Sequence, residues 1–158
     1  MSIDPAVRPI DSAATHIAAV AETLVQGLDG ALRASVAEPV DDVLTVHVTT
    51  DPLLEPCGSP SAGPTIEALL LRRIVRIPST PRSREWPEHC ADLARQGVLS
   101  VGAFPIKDPA GTTLGVLTVS SQDHHGFGAA DIVACRVAAD EMAALISTVH
   151  ARSFPDRV

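Results

Sequence analysis

The sequence predicts an α+β domain with antiparallel strands, and three observations carry that expectation. An apolar helical stripe opens the chain, and a longer Ala-rich helical seam closes it. Between them lie two pairs of β-branched runs, each pair joined by a short turn-forming connection.

Residues 1–10 read as a polar, Pro-containing lead-in, and Asp11 or Ser12 is placed to cap a first helix. Ile17, Val20, Ala21, Leu24, Val25 and Leu28 then recur with helical spacing as one apolar stripe, ending near Gly27 or Gly30. Leu32–Ala37 and Val43–Thr50 are rich in β-branched residues and flank Glu38-Pro39-Val40-Asp41-Asp42, which suits an antiparallel strand pair. Asp51–Pro64 holds four Pro and two Gly, a density that fixes φ and removes donors; it reads as a loop and candidate lid.

A short helix is expected over Thr65–Leu71, with Glu67 in the first turn where the helix dipole favours an anion, and a short strand over Ile74–Ile77. Trp86-Pro87-Glu88 opens another helix with Pro in its first turn, and Gly97 ends it. Val98–Ile106 and Leu114–Ser121 are the clearest strands. Pro109 and Gly111 lie between them, and neither strand alternates cleanly, as expected of strands covered on both faces. The last helix runs from about Ala129 to about Ala151. Phe127 precedes it as a staple, Gly128 sits at its N-cap and Asp131 in its first turn; its seam is Ile132, Cys135, Ala139, Met142, Ile146 and Val149.

Composition narrows the function classes. At 158 residues the chain is one domain's worth, divided as lead-in 1–10, domain 11–151 and tail 152–158. No apolar run approaches the ~20 residues needed to span a bilayer and no secretory leader is evident, so a cytoplasmic protein without a membrane partner is expected. Three cysteines without C-x-x-C spacing signal neither a disulfide framework nor a zinc knuckle. A net charge of −7 with no basic block argues against a nucleic-acid partner.

Four motifs occur in order with suitable spacing. They are Gly63-Pro64-Thr65-Ile66-Glu67-Ala68-Leu69; Gly97, Val98 and Ser100 followed by Pro105-Ile106; Gly115 and Leu117; and Phe127 with Asp131. Together they resemble the GAF domain, a small-molecule-sensing module of bacterial signalling proteins, over roughly Asp11 to Val149. The resemblance implies a central antiparallel β-sheet with the N- and C-terminal helices packed on one face and short helices and loops on the other. It also implies a pocket between the sheet and that second layer. Only Arg152–Val158 follow the last helix, so no output domain is expected in this chain and any signalling protein it acts on is a separate one.

Candidate chemistry is confined to a few places. Trp86, His89, Leu93, Phe104, Thr118 and Ser120 are candidates to line the pocket, with Cys90 beneath it; the competing reading is a filled core. His89-Cys90 resembles the Cys-His pair of bilin-binding GAF domains, but the thiol follows the imidazole and Glu88 stands where the thiol is wanted, which leaves a haem or bilin sensor as an alternative. Asp123-His124-His125 reads as a solvated loop, since adjacent imidazoles diverge, and no metal site or cofactor is expected. Cys57 and Cys90 give a second alternative, a thiol chemistry like that of the free methionine sulfoxide reductases, which also use a GAF fold. Ile17, Leu24, Cys135, Ala139, Met142 and Ile146 are candidates for a homodimer interface between terminal helices, because each helix is apolar on more than one stripe. The resulting expectation is a non-enzymatic sensing or protein-interaction module, dimeric, with an unidentified small-molecule ligand.

Overall fold

A computed structural model describes residues 9–40, 43–50 and 63–153. Helix α1 (Pro9–Gly27) begins before the expected cap at Asp11 or Ser12, because Pro9 lacks only an N–H that the first turn leaves unbonded in any case. Ala13, Ile17, Ala21 and Leu24 form its buried stripe, which Leu28, just past its end, continues; Val20 and Val25 lie at the margins, half-buried. Strands β1 (Ala31–Val40) and β2 (Val43–Thr49) pair antiparallel, as their composition predicted. Then come α2 (Pro64–Leu71), the three-residue edge strand β3 (Val75–Ile77), a single 3-10 turn (Thr80–Arg82) and α3 (Pro87–Arg95). The chain finishes with β4 (Ser100–Lys107), β5 (Thr113–Ser121) and α4 (Ala129–Ser153). The loop expected at Asp51–Pro64 lies, up to residue 62, outside the described residues.

The strands form one antiparallel sheet in the order β2-β1-β5-β4-β3. Alternation assigns its two faces. Ala34, Val36, Phe104, Ile106, Leu117 and Val119 meet α1 and α4, where Ile17, Cys135, Ala139 and Met142 complete the largest core cluster. A fully buried Ile17 or Met142 contributes about 1.5–3 kcal/mol of transfer free energy. On the other face Val101, Ala103 and Val116 lie under α2 and α3, in two smaller clusters that share Trp86 at their margins. The terminal helices on one face and short helices on the other match the expected layering.

Local chemistry fixes the junctions. Helix α3 ends in a Schellman motif: Val98 N–H donates to Leu93 O at 2.9 Å and Gly97 N–H to Ala94 O at 3.0 Å, with Gly97 at φ 83°. Leu93 and Val98, thereby brought together, are both buried in the cluster beneath α3. The β4–β5 turn needs Gly111 at φ 87°, and Asp108 holds it by accepting Thr112 N–H at 2.8 Å. At the start of α4 the Asp131 carboxylate accepts Gly128 N–H at 3.2 Å, one half of a capping box. Phe127, buried, sets its ring 6.2 Å from that of Phe104. No helix among the described residues is long and apolar enough to cross a membrane.

Candidate functional site

The sheet face under α2 and α3 is not uniformly apolar. Arg33 and Ser35 on β1 stand beside Ser120 and Thr118 on β5, and these in turn pair with Val101 and Ala103 on β4. All four polar residues are buried, and Arg33 is only 1% exposed. An irregularity in the β1–β5 register between Ala31 and Arg33 places Leu32, packed at the margin of the α3 cluster, and Arg33 on this same face, as a bulge does. A guanidinium and three hydroxyls therefore sit on the floor of the second layer.

Short helices close over this floor. Thr65, in the first turn of α2, sets its hydroxyl 2.8 Å from that of Thr118. Trp86 is the N-cap of α3 and holds a left-handed conformation at φ 49°, uncommon for a bulky residue. Its half-buried side chain bridges the clusters under α2 and α3. Three residues on, His89 has a buried Nε2 with no hydrogen-bond partner among the described residues. Desolvation lowers its pKa from the ordinary 6.5, and the charge of Arg33 lowers it further, so the ring is neutral at pH 7.

Several expected site residues sit elsewhere. Phe104 and Thr118 do not share a face: Phe104 pairs with Leu117 and faces the terminal helices, because Thr118 is one residue out of that alternation. Cys90 and Leu93 face the buried cluster with Ile77, Val98 and Val101. Cys90 Sγ donates to Glu85 O at 3.4 Å; burial pushes its thiol up, a hydrogen bond with Ser83 draws it back and the charge of Glu85 raises it again. Of the dimer candidates, Ile17, Cys135, Ala139, Met142 and Ile146 are buried within the chain's own core, at 4% exposure or less, whereas Leu24, 8% exposed, also lines a groove at the surface of the helix layer. Their periodicity records packing on the sheet and between α1 and α4. The side chain of Val149 lies outside the described residues. That groove, of about 320 Å³, is lined by Val20, Thr23, Leu24, Ala134, Val137 and Glu141 among others.

The thiols divide in the same way. Cys135 lies on the far face of the sheet from Cys90, and burial, with the nearby Asp131 charge adding, pushes its thiol up to about 12. Those two cannot meet, and Cys57 lies outside the described residues. In the loop before α4, His124 Nδ1 and Ser79 Oγ are 3.0 Å apart, while His125 turns left-handed at φ 54° and its N–H donates to Pro78 O. This loop is thus docked onto the end of β3. No group of three His, Cys, Asp or Glu side chains among the described residues is arranged to hold a metal.

Arg33 is the residue that sequence reasoning passed over. The signal was present: one arginine inside an apolar strand, two positions from Ser35, with Ala34 and Val36 on the opposite alternation.

An antiparallel sheet backed by the two chain ends, with a partly polar face under short helices, defines a class of α+β domains shared by sensory and catalytic proteins. The chain belongs to the GAF domain family, whose profile matches residues 10–146. The GAF domain of a two-component sensor histidine kinase from Bacillus halodurans superposes with a TM-score of 0.68 at 16% identity, covering 90% of this chain and 97% of that one. Free methionine-R-sulfoxide reductase from Neisseria meningitidis, solved in complex with its substrate, gives 0.70 at 16% identity over 90% and 82% of the two chains. The type II free methionine-R-sulfoxide reductase of Thermoplasma acidophilum gives 0.68 at 16% over 90% and 96%. No curated protein matches the sequence at a significant level. The reductases overturn the expectation that the chain is not an enzyme: the same fold carries catalysis in those proteins, so an enzymatic function is open to this one.

Proposed function

We propose that this domain binds a small anionic molecule on the hydroxyl-bearing sheet face and passes the binding event to a separate signalling protein, as a dimer in contact through its terminal helices. One observation carries the ligand reading: the buried, unpartnered Nε2 of His89 within the field of Arg33. A buried nitrogen without a hydrogen bond is costly, and a ligand oxygen lying between imidazole and guanidinium would satisfy it. Ser35, Thr118 and Ser120 make the surrounding floor polar, and Trp86 offers an aromatic wall.

Screening small carboxylates by thermal shift tests this. At a hundredfold excess over Kd a ligand contributes about 2.7 kcal/mol, which for a chain of this size raises Tm by roughly 5–10 °C. The shift should be accompanied by a change in emission from Trp86, the single tryptophan, and should disappear in His89→Gln. Neutral ligands shifting Tm equally, or no anion shifting it, would defeat the reading.

The reductases on this fold support a second reading. Reduction of a methionine sulfoxide to the thioether consumes two thiols and releases water and a disulfide. With Cys135 across the sheet, such a cycle in this chain draws on Cys57 and Cys90. Loss of methionine formation from free methionine-R-sulfoxide in either Cys57→Ser or Cys90→Ser would support it; absence of turnover in the unaltered protein would remove it.

A further inference from the structure

The chain carries a net charge of −7, yet six of its twelve basic residues fall between Arg72 and Arg95, against only Glu85, Glu88 and Asp92. Folding concentrates part of this segment. Beside edge strand β3 lies a groove of about 440 Å³ lined by Arg76, Arg82, Arg84, His125, Ser79 and Glu85, among others. A smaller hollow of about 170 Å³ adjoins it and shares Arg76 and His125. Neither is lined by Arg33, His89 or Thr118.

Backbone geometry aims the charges inward. Val75 and Ile77 are buried, so alternation turns Arg76 the other way, and its Nη1 donates to Phe127 O at 3.3 Å while the rest of the fork stays available. The 3-10 turn carries Arg82 and leaves through an extended Ser83, whose Oγ donates to Glu85 O, with Arg84 in the bend between them. Arg82 and Arg84 are exposed and form no ion pair among the described residues. The docked loop brings His125 in from the opposite side through its N–H bond to Pro78 O.

We propose that this groove binds a phosphorylated small molecule, at a site separate from the sheet face. Three guanidinium groups against one carboxylate make a local positive field on an acidic protein. Their planar forks suit the several oxygens of a phosphoryl group better than the two of a carboxylate. The volume lies within the range of small-ligand sites. The exposed edge of β3 is three residues long, too short to accept an added strand, so an extended acidic peptide is disfavoured as the occupant.

Inorganic pyrophosphate titrated at constant ionic strength, read by calorimetry and by emission of Trp86 beside Glu85, is the direct test. Saturable binding is expected, weakened at least tenfold in the double variant Arg82→Gln/Arg84→Gln. Both side chains are exposed, so the variant should keep its Tm. His89→Gln should bind pyrophosphate as the unaltered protein does, which separates this site from the sheet face. No saturable binding, equal binding by the double variant, a response reproduced by chloride, or loss of binding in His89→Gln would each overturn the assignment. So would a poly-Glu peptide that binds where pyrophosphate does not.

Discussion

At the residue scale, a few side chains carry more information than their neighbours. His89 is the clearest, because its folded pKa lies below its unfolded one. Above about pH 6.5 neither state binds the proton and the group contributes nothing to pH dependence. As pH falls below that value the unfolded chain is protonated while the folded one resists, so stability is lost down to the folded pKa. The Tm of the unaltered protein is therefore expected to fall more steeply between pH 6.5 and 5 than that of His89→Gln; parallel curves would show that the ring is not held neutral by burial. An anion bound beside His89 would raise its pKa, so binding and proton uptake should be coupled. The sequence named His89, Trp86, Thr118 and Ser120, which lie on or over the second sheet face, but it passed over Arg33 and put Phe104 on the wrong face. A single strand does not show which of its alternations faces which layer.

At the element scale, glycines separate two kinds of constraint. Gly97 requires a left-handed conformation, but a Cβ there meets nothing within 4 Å. Gly97→Ala is expected to cost roughly 1 kcal/mol, the conformational term alone. At Gly126 a Cβ would sit 2.5 Å from Ser121 Oγ and 2.8 Å from Ser100 Oγ. Those hydroxyls tie the loop before α4 to the sheet: Ser100 Oγ donates to Asp123 O and accepts Gly126 N–H at 3.2 Å, and Asp123 N–H donates to Ser121 Oγ at 3.1 Å. Gly126→Ala should therefore cost more, roughly 2–3 kcal/mol by overpacking. Urea midpoints compare the two; equal losses would mean that the loop yields without disturbing the sheet. The role of Gly97 in ending its helix was readable from sequence, because capping is local. The demand at Gly126 was not, since it arises from strands distant in sequence.

At the scale of the whole molecule, the terminal helices are covered by the sheet on one side only. Val133 and Val137 are one turn apart on α4 and 60% and 51% exposed, beside the Ala-lined groove between α1 and α4. A second copy of the chain is the proposed occupant, because small residues flanked by exposed valines on the same surface let two copies interlock about a two-fold axis. Light scattering at micromolar concentration should give twice the chain mass, and Val137→Asp should give the single-chain mass with secondary structure retained. A monomeric unaltered protein would remove this interface.

By itself the sequence determined the fold class, the order of nearly all elements and the family, because helical stripes, turn residues and caps act over a few positions and survive any arrangement of the rest. It also identified Ile17, Cys135, Ala139 and Met142 as apolar helix positions without saying what they pack against, and here they were assigned to a partner. Only the tertiary structure decided that the chain's own sheet covers them, that His89 of α3 lies within the field of buried Arg33 on β1, and that Arg76, Arg82, Arg84 and His125 converge on one groove. Each of these depends on strand register and on contacts between distant segments, and local periodicity specifies neither.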